Sequence, residues 1–514
     1  MKWKGWIAMM LAAVLFGGCA ATPPTETTAE TNAPTTQPEA PAYPADAPPE
    51  DRLPALEGNT LRMYYDDRYA ISRLGGETAE ITEQNVLSSA VGTGQKDAAV
   101  VLCEDGQLIA VGIGTAKVTV GDAAYEISVE AAPISLVMIT GHSIGAGQAG
   151  TPAQSVLCAP GTAYSTHFLQ LSQSDASGVG IGYAASARPR EIDAFTAAGA
   201  GVQGEASGLA YKWNALTGEK IWVLNAAVGG SCLNEWAQGT ENYTRAVHMF
   251  QYAQAVLANE IAAGHYRLKD MAVIYHSGAN FGYKNVVCTD ELAQECLHSL
   301  WNGMKEDLAM DLDGNGTKQT ISAMGYVPTW NQTSRKSFEH DKPATYYMAA
   351  SDAYPGIFMA SEAAKVWTGG NGLQQMPPID YETHGQQVTL PENLTQLYAE
   401  GTHFVQSAYN ALGMDIAENL FCQLRSYSRV ESLIFQKPDG NKVYTKVTLN
   451  GVGDSLRLVP VTQPITVSDL TFRVTENLSL EYPCILVAKA AGEGTLTVSQ
   501  RGTVIAEITV IVEE

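Results

Sequence analysis

Four short stretches carry the residues that can do chemistry. Gly141-His142-Ser143 follows an apolar run over 136–140, and Gly145, Ala146 and Gly147 come soon after it. Small residues let a backbone turn sharply and leave a hydroxyl open. Ser143 is therefore a candidate nucleophile if a base reaches it; the alternative is a glycine-rich surface turn whose serine caps a helix. In residues 225–236, NAAVGGSCLNEW, Gly229 and Gly230 expose backbone N–H groups of the kind an oxyanion needs. His276-Ser277-Gly278-Ala279-Asn280 offers the Asn280 amide as another donor. Near the end of the region, Glu400-Gly401-Thr402-His403 sets a carboxylate three residues before a histidine. In a turn leading into a helix, that spacing puts the ring over a site with the acid holding it.

Other residues have two readings each. His142 and His276 lie beside these stretches and either shape the site or are structural. Trp236, with Asn234 and Glu235, either walls a sugar pocket or belongs to the core. His384 is a second candidate base, on a loop. Asp311, Asp313 and Asn315, in DLDGNG, resemble the start of a calcium loop with oxygens at alternate positions. The twelfth position is Ser322 rather than a bidentate Glu, so the choice is a structural calcium or a plain Asp/Gly turn. No cofactor is required by any of these groups.

The elements that must position this chemistry alternate. Strands are expected at 136–140, 220–226, 271–275, 320–327 and 356–359, and helices at 208–216, 244–263, 292–307 and 404–424. Such alternation predicts a parallel sheet with helices on both faces, whose ligands sit beyond the carboxyl ends of the strands. The first three candidate stretches each follow one of these strands.

Around this middle region, 133–424, the chain changes character. Residues 53–132 and 425–514 read as short alternating strands with Gly and Asp turns, which predicts two small all-β sandwiches. Both are expected to be rigid spacers or adhesion modules. Residues 1–19 have Lys2 and Lys4 ahead of a short apolar run ending in LFGGC, a signal-peptide pattern. Residues 20–52, dense in Pro, Thr, Ala and Glu, cannot bury a core and form a tether. The 514 residues carry 31 Lys and Arg against 54 Asp and Glu, a net charge of −23, which excludes nucleic acid and other polyanions as partners. The eight cysteines are scattered without CxxC spacing, so buried thiols are expected, with a local pairing of Cys288 and Cys296 as the alternative.

The set resembles the SGNH hydrolases: Ser143 in GHS, Gly230 in the GG turn, Asn280 in GAN, and the acid-x-x-His pair Glu400 and His403 occur in that family's order. GHSIGAG resembles the GQSNxxG opening of the carbohydrate acetylesterase and sialate O-acetylesterase branch. GLAYKWNALTGEKIWVLNAAVGGSCLNEW and EGTHFVQSAYNALGMDIAENL are similar to two further stretches of it. The resemblance implies a three-layer, flavodoxin-like α/β hydrolase domain; separately, GQLIAVGIGTAKVTVGDAAYEISVE resembles bacterial immunoglobulin-like modules, which implies an immunoglobulin-like sandwich on each side of it. The hydrolase resemblance implies a serine esterase removing acetyl or a similar small acyl group from carbohydrate. Ser143 would attack, His403 would carry the proton and Glu400 would orient it. The N–H groups of Ser143 and Gly230 and the Asn280 side chain would hold the oxyanion, with His142, Trp236 and His276 near the substrate. LFGGC resembles the bacterial lipoprotein box, implying a lipid on Cys19, a cell-surface location and membrane contact through that anchor alone. The chain departs from the branch in having Glu400 for Asp, Ser277-Gly278-Ala279 for QGE and Ile144 for Asn.

Two competing readings are weaker. GHSIG also fits the G-x-S-x-G elbow of α/β-hydrolases, but that fold needs several strands before its elbow. A non-catalytic surface binder has no need of a serine paired with an acid-oriented histidine.

Overall fold

The strand β1 (Ala132–Gly141) is buried at every position, as an apolar run inside a two-sided sheet must be. The computed structural model describes residues 53–87, 98–148, 150, 155–156, 158–159, 161–167, 190–191, 204–277, 290–328, 356–361, 380–383, 386–389, 404, 406–425, 432–437, 441–463, 470–481, 485–500 and 503–514. Cys19 and the tether, Asn280, His384, Glu400 and His403 lie outside these residues.

Around β1 stand β2 (Ala163–His167), β3 (Arg190–Glu191), β4 (Lys220–Asn225), β5 (Tyr266–Ser277), β6 (Ala323–Pro328) and β7 (Ile357–Met359). The sheet order is β3-β2-β4-β1-β5-β6-β7, parallel throughout except for the β2–β3 pair at its edge. Taken alone, β4-β1-β5-β6-β7 has the 2-1-3-4-5 order of flavodoxin-like sheets, with β2 and β3 added outside β4. The order reverses at β1, so the crevice for a ligand opens beyond the ends of β1, β4 and β5.

Among the described residues four helices cover the faces: α1 (Ala206–Thr217), α2 (Glu241–Ala262), α3 (Asp290–Asp307) and α4 (Gln406–Arg425). Alternate residues of each strand serve opposite faces. Val137, Ile139, Val223 and Ile274 pack with Leu209 of α1 and Leu412 of α4. Leu136, Met138, Leu224 and Val273 pack with Phe250 of α2 and Leu300 of α3. In α2 the buried residues Tyr243, Val247, Phe250, Gln254 and Leu257 recur at helical spacing. The five strands and four helices expected from the alternation all form. The edge strands β2 and β3 had no apolar run to announce them.

Helices α1 and α4 cross in direct backbone contact. A Cβ on Gly208 would stand 2.1 Å from the Asn410 carbonyl oxygen, and one on Gly413 2.1 Å from that of Glu205. Only glycine fits at such a crossing.

The two flanking regions share a four-strand arrangement. Before β1, Thr60–Tyr64 runs parallel to Ala123–Glu130, which pairs antiparallel with Gly114–Val120, and that strand with Glu80–Val86. After α4, Lys446–Leu449, Thr503–Val512, Gly492–Gln500 and Leu470–Val474 repeat this order and these directions. Each region adds a three-stranded antiparallel sheet, centred on Gln107–Ala110 in one and Ile485–Ala488 in the other, and the C-terminal region has a second one centred on Ser432–Gln436.

Their attachment differs. The C-terminal region has a core of its own, including Phe435, Leu449, Leu486 and Val510. The N-terminal region joins the main core: Leu61, Met63, Val118 and Ile127 belong to one cluster with Leu136, Trp222 and Phe250. Only Ala131 separates its last strand from β1. Its turn at residues 64–67 meets the N-terminal ends of β2 and β5. There the Tyr164 hydroxyl donates to Asp66 at 2.8 Å, the Tyr266 hydroxyl donates to the same carboxylate, and the Tyr65 ring stacks on His265 at 4.0 Å. Cys103 is exposed and Cys158, Cys232, Cys296 and Cys422 are buried, all as thiols. Burial and the neighbouring Glu295 raise the Cys296 thiol; Cys288 lies outside the described residues.

Candidate active site

Beyond β1 the chain folds into consecutive turns. The N–H of Ala146 donates to the His142 carbonyl at 3.0 Å, that of Gly147 to Ile144 at 2.8 Å and that of Gln148 to Ser143 at 3.1 Å. Residues 142–148 form turns rather than a helix that Ser143 would cap. Ser143 is half-buried, while Ile144, Gly145 and Ala146 around it are buried. Neighbouring strand ends hold this turn in place. At the end of β4, the Asn225 amide donates to the Gly145 carbonyl at 2.8 Å. The Ser231 hydroxyl and the Val228 N–H both donate to the Gly141 carbonyl, at 3.1 and 2.8 Å. A serine on a turn this firmly held has little freedom to lose when it meets a substrate.

The glycine pair after β4 stands beside it. Gly229 is exposed, Gly230 has φ of 75°, and the Ser231 N–H closes the turn on the Val228 carbonyl at 3.2 Å. A Cβ on Gly229 would lie 3.9 Å from the Ser143 Cβ and 3.5 Å from the Gln148 Oε1. Two stretches read separately in the sequence thus meet at the switch point of the sheet. Gln148, exposed and reaching over Gly229, is a lip residue that sequence reading missed.

The three residues expected near the substrate stand behind this surface. Trp236 is 1% exposed, His142 2% and His276 0%. The Trp236 indole N–H donates to Ser231 Oγ at 2.9 Å and its ring meets Tyr275 edge-on. Trp236 is therefore core, and its hydrogen bond braces the glycine turn. His142 Nδ1 accepts from the Ile144 N–H at 3.2 Å, and its ring meets that of His276 edge-on at 6.4 Å. His276, at the end of β5, lies against the turn: a Cβ on Gly145 would come 2.9 Å from its Cδ2. Its Nε2 is 2.5 Å from the Glu205 carboxylate. Glu205 immediately precedes α1, and nothing in its sequence context marks it as a partner for a distant histidine. Asn234 and Glu235 are half-buried, and Glu235 caps its own short turn by accepting the Cys232 N–H at 2.7 Å.

Residues immediately after His403 are fastened to the same place. Phe404 is fully buried. Its ring meets that of Tyr409 edge-on, and the Tyr409 hydroxyl donates to the Gln148 carbonyl at 3.0 Å. Burial, then the nearby Glu205 carboxylate, raise that hydroxyl well above its ordinary value. The Gln406 amide pairs both ways with the Gly204 backbone, accepting at 3.0 Å and donating at 2.8 Å. It also donates to Asn410 at 2.9 Å. The start of α4 is thus tied to the end of the Ser143 turn and to the residue before Glu205.

The 311–316 loop lies elsewhere, between α3 and β6. Asp311 accepts the Gly316 N–H at 2.9 Å, Asp313 accepts the Asn315 N–H at 3.2 Å, and Asn315 accepts the Thr317 N–H at 2.7 Å. These bonds close a turn by themselves. Among the described residues no group of three or more His, Cys, Asp or Glu is placed to hold a metal ion.

No family profile and no curated protein matches this chain. Two of the solved structures it is similar to are these. One is a protein of Arabidopsis thaliana, with a TM-score of 0.32, 14% identity, and coverage of 57% of this chain and 99% of that one. The other is a carbohydrate acetylesterase of Xanthomonas citri, with a TM-score of 0.34, 12% identity, and coverage of 87% and 94%.

Proposed function

We propose that this chain is a serine ester hydrolase that removes acetyl or similar small acyl groups from carbohydrate. One observation carries the esterase reading. The half-exposed Ser143 stands beside the open Gly229-Gly230 turn, at the end of the central strand of a parallel sheet. A hydroxyl on a braced turn beside free backbone N–H groups is what acyl transfer requires. The carbohydrate part rests on the resemblance of the Ser143 and His403 stretches to one esterase branch. The net charge of −23 favours a neutral or cationic substrate over a polyanion.

In this reading Ser143 Oγ forms a bond to the ester carbonyl carbon while His403 takes its proton, and Glu400 orients the imidazole. The negative oxygen is held by the N–H groups of Ser143 and Gly230 and the Asn280 amide. The carbon–alcohol bond then breaks, and the departing alkoxide receives the proton from His403. A water molecule repeats the sequence on the acyl-serine and returns the enzyme. Each oxyanion donor contributes about 3 kcal/mol. The protein acts outside the cytoplasm, held at the cell surface by a lipid on Cys19.

Hydrolysis of 4-nitrophenyl acetate by the full chain tests this, beside Ser143→Ala and His403→Ala. Turnover by the parent that falls at least about a thousandfold in both variants is expected. A well-folded parent without turnover, or variants equal to it, would leave a surface binding protein as the better reading.

A further inference from the structure

We propose that Glu205 and His276 form a buried positioning pair that fixes the Ser143 turn relative to the chain segment carrying His403. The inference rests on Ser143 being the nucleophile.

Both side chains are completely buried, and each spends one atom on the other across 2.5 Å. Their remaining atoms, Glu205 Oε2 and His276 Nδ1, have no hydrogen-bond partner among the described residues. Burying a carboxylate and an imidazole with half their capacity unused costs stability, and an apolar pair of similar volume would avoid that cost. Local violations of this kind persist where function needs them.

The location says what the function is. On one side, the His276 ring lies against Gly145, whose Cβ position is 2.9 Å from Cδ2 and 3.1 Å from Cγ. His276 also pairs in register with Gly141, so it touches the Ser143 turn at its start and in its middle. On the other side, Glu205 follows Gly204, the residue that the Gln406 amide grips from both directions. Gln406 begins α4, directly beyond His403 and Phe404. The Glu205 carbonyl oxygen also lies at the α1–α4 crossing, 2.1 Å from the Cβ position of Gly413. The pair is thus a short strut from the serine turn to the root of the histidine segment. A serine and its base must be held at hydrogen-bond distance, and a shift of about 1 Å costs about a hundredfold in rate. Neither residue touches substrate, because neither reaches the surface.

The test compares Glu205→Ala, Glu205→Gln and Glu205→Asp with the parent on 4-nitrophenyl acetate. Rates are normalised to serine titrated by a fluorophosphonate, so that loss of folded protein does not register. A strut predicts that Glu205→Ala lowers kcat per titrated site about tenfold or more with KM within about twofold. Glu205→Gln, equal in length and able to bond to the imidazole, should recover most of it. Glu205→Asp keeps the charge, shortens the arm by one methylene and should fall about fivefold or more; it serves if Glu205→Ala does not fold. Variants whose kcat per titrated site stays within about twofold of the parent overturn the positioning role. A folded parent that neither turns over the ester nor is labelled at Ser143 overturns the esterase reading itself, and this one with it.

Discussion

Lys220 Nζ stands 2.7 Å from Asp67 Oδ1 and 2.7 Å from the Gly161 carbonyl oxygen, with both charged side chains buried. Lys220 is the first residue of β4, and Asn225, at its other end, holds the Ser143 turn. The N-terminal β region is therefore bound to the base of the sheet, at the end away from the chemistry. With its apolar residues continuous with the main core, it closes the bottom of the sheet. The sequence predicts a spacer or adhesion module here and carries no local signal of this docking.

Breaking this pair from one side should be costly. Lys220→Met leaves Asp67 buried without its cation, and the expected loss is about 3–5 kcal/mol in urea unfolding. Adding Asp67→Asn, which still accepts the Tyr64 N–H, should restore part of it by removing the stranded charge. Esterase rate per titrated serine should stay within about twofold in both. A single variant within about 1 kcal/mol of the parent would mean that the apolar contacts alone fix the region.

What the sequence made legible follows from the range of each signal. The strand at 136–140 and the helix at 244–263 are local apolar patterns, so they are readable from the residues within them. The candidate nucleophile and the glycine pair are readable for the same reason, because each sits at a strand end. The partners are different. Lys220 looks like an ordinary polar start to KIWVLN, and Asp67 lies far back in another region. Glu205 precedes a helix as many acids do, and only the fold brings His276 to it. Trp236 misled because an aromatic next to Asn and Glu is equally consistent with a sugar wall or a core residue. Burial decides between them, and burial is a property of the whole chain.

At the base of the sheet, Glu219 gives a pH dependence of definite sign. Burial raises its carboxyl, against the opposing pull of Ser135 and Arg425. Ser135 donates to it at 2.7 Å and Arg425 at 2.9 Å, and Arg425 also donates to Asp270 at 2.8 Å. A carboxyl raised on folding binds its proton more tightly in the native state. Its contribution is complete below the unfolded value and is lost as pH rises through the folded one. Glu219→Gln cannot ionise and escapes that loss. The difference in Tm between Glu219→Gln and the parent should therefore move in the variant's favour from pH 4 to pH 7. A difference moving the other way would show that the Arg425 bond outweighs burial.

Gly145 and Gly229 flank the candidate nucleophile and should respond to an added methyl in opposite ways. Gly145→Ala puts its Cβ 2.9 Å from His276 Cδ2 and 3.0 Å from the Thr140 carbonyl oxygen. Neither neighbour can yield easily: one is a buried ring held by Glu205 and the other is strand backbone. Overpacking should cost about 1–3 kcal/mol, and the displaced turn should lose activity toward every ester alike. Gly229→Ala meets nothing closer than 3.5 Å, so its Tm should stay near that of the parent. Its methyl would instead stand 3.9 Å from the Ser143 Cβ, narrowing the approach to the hydroxyl from that side. The loss in kcat/KM should then grow with acyl size, so that the butyrate-to-acetate ratio falls about tenfold or more, the discrimination that methylene-sized steric differences give. An unchanged ratio would mean that the acyl group approaches Ser143 from another side.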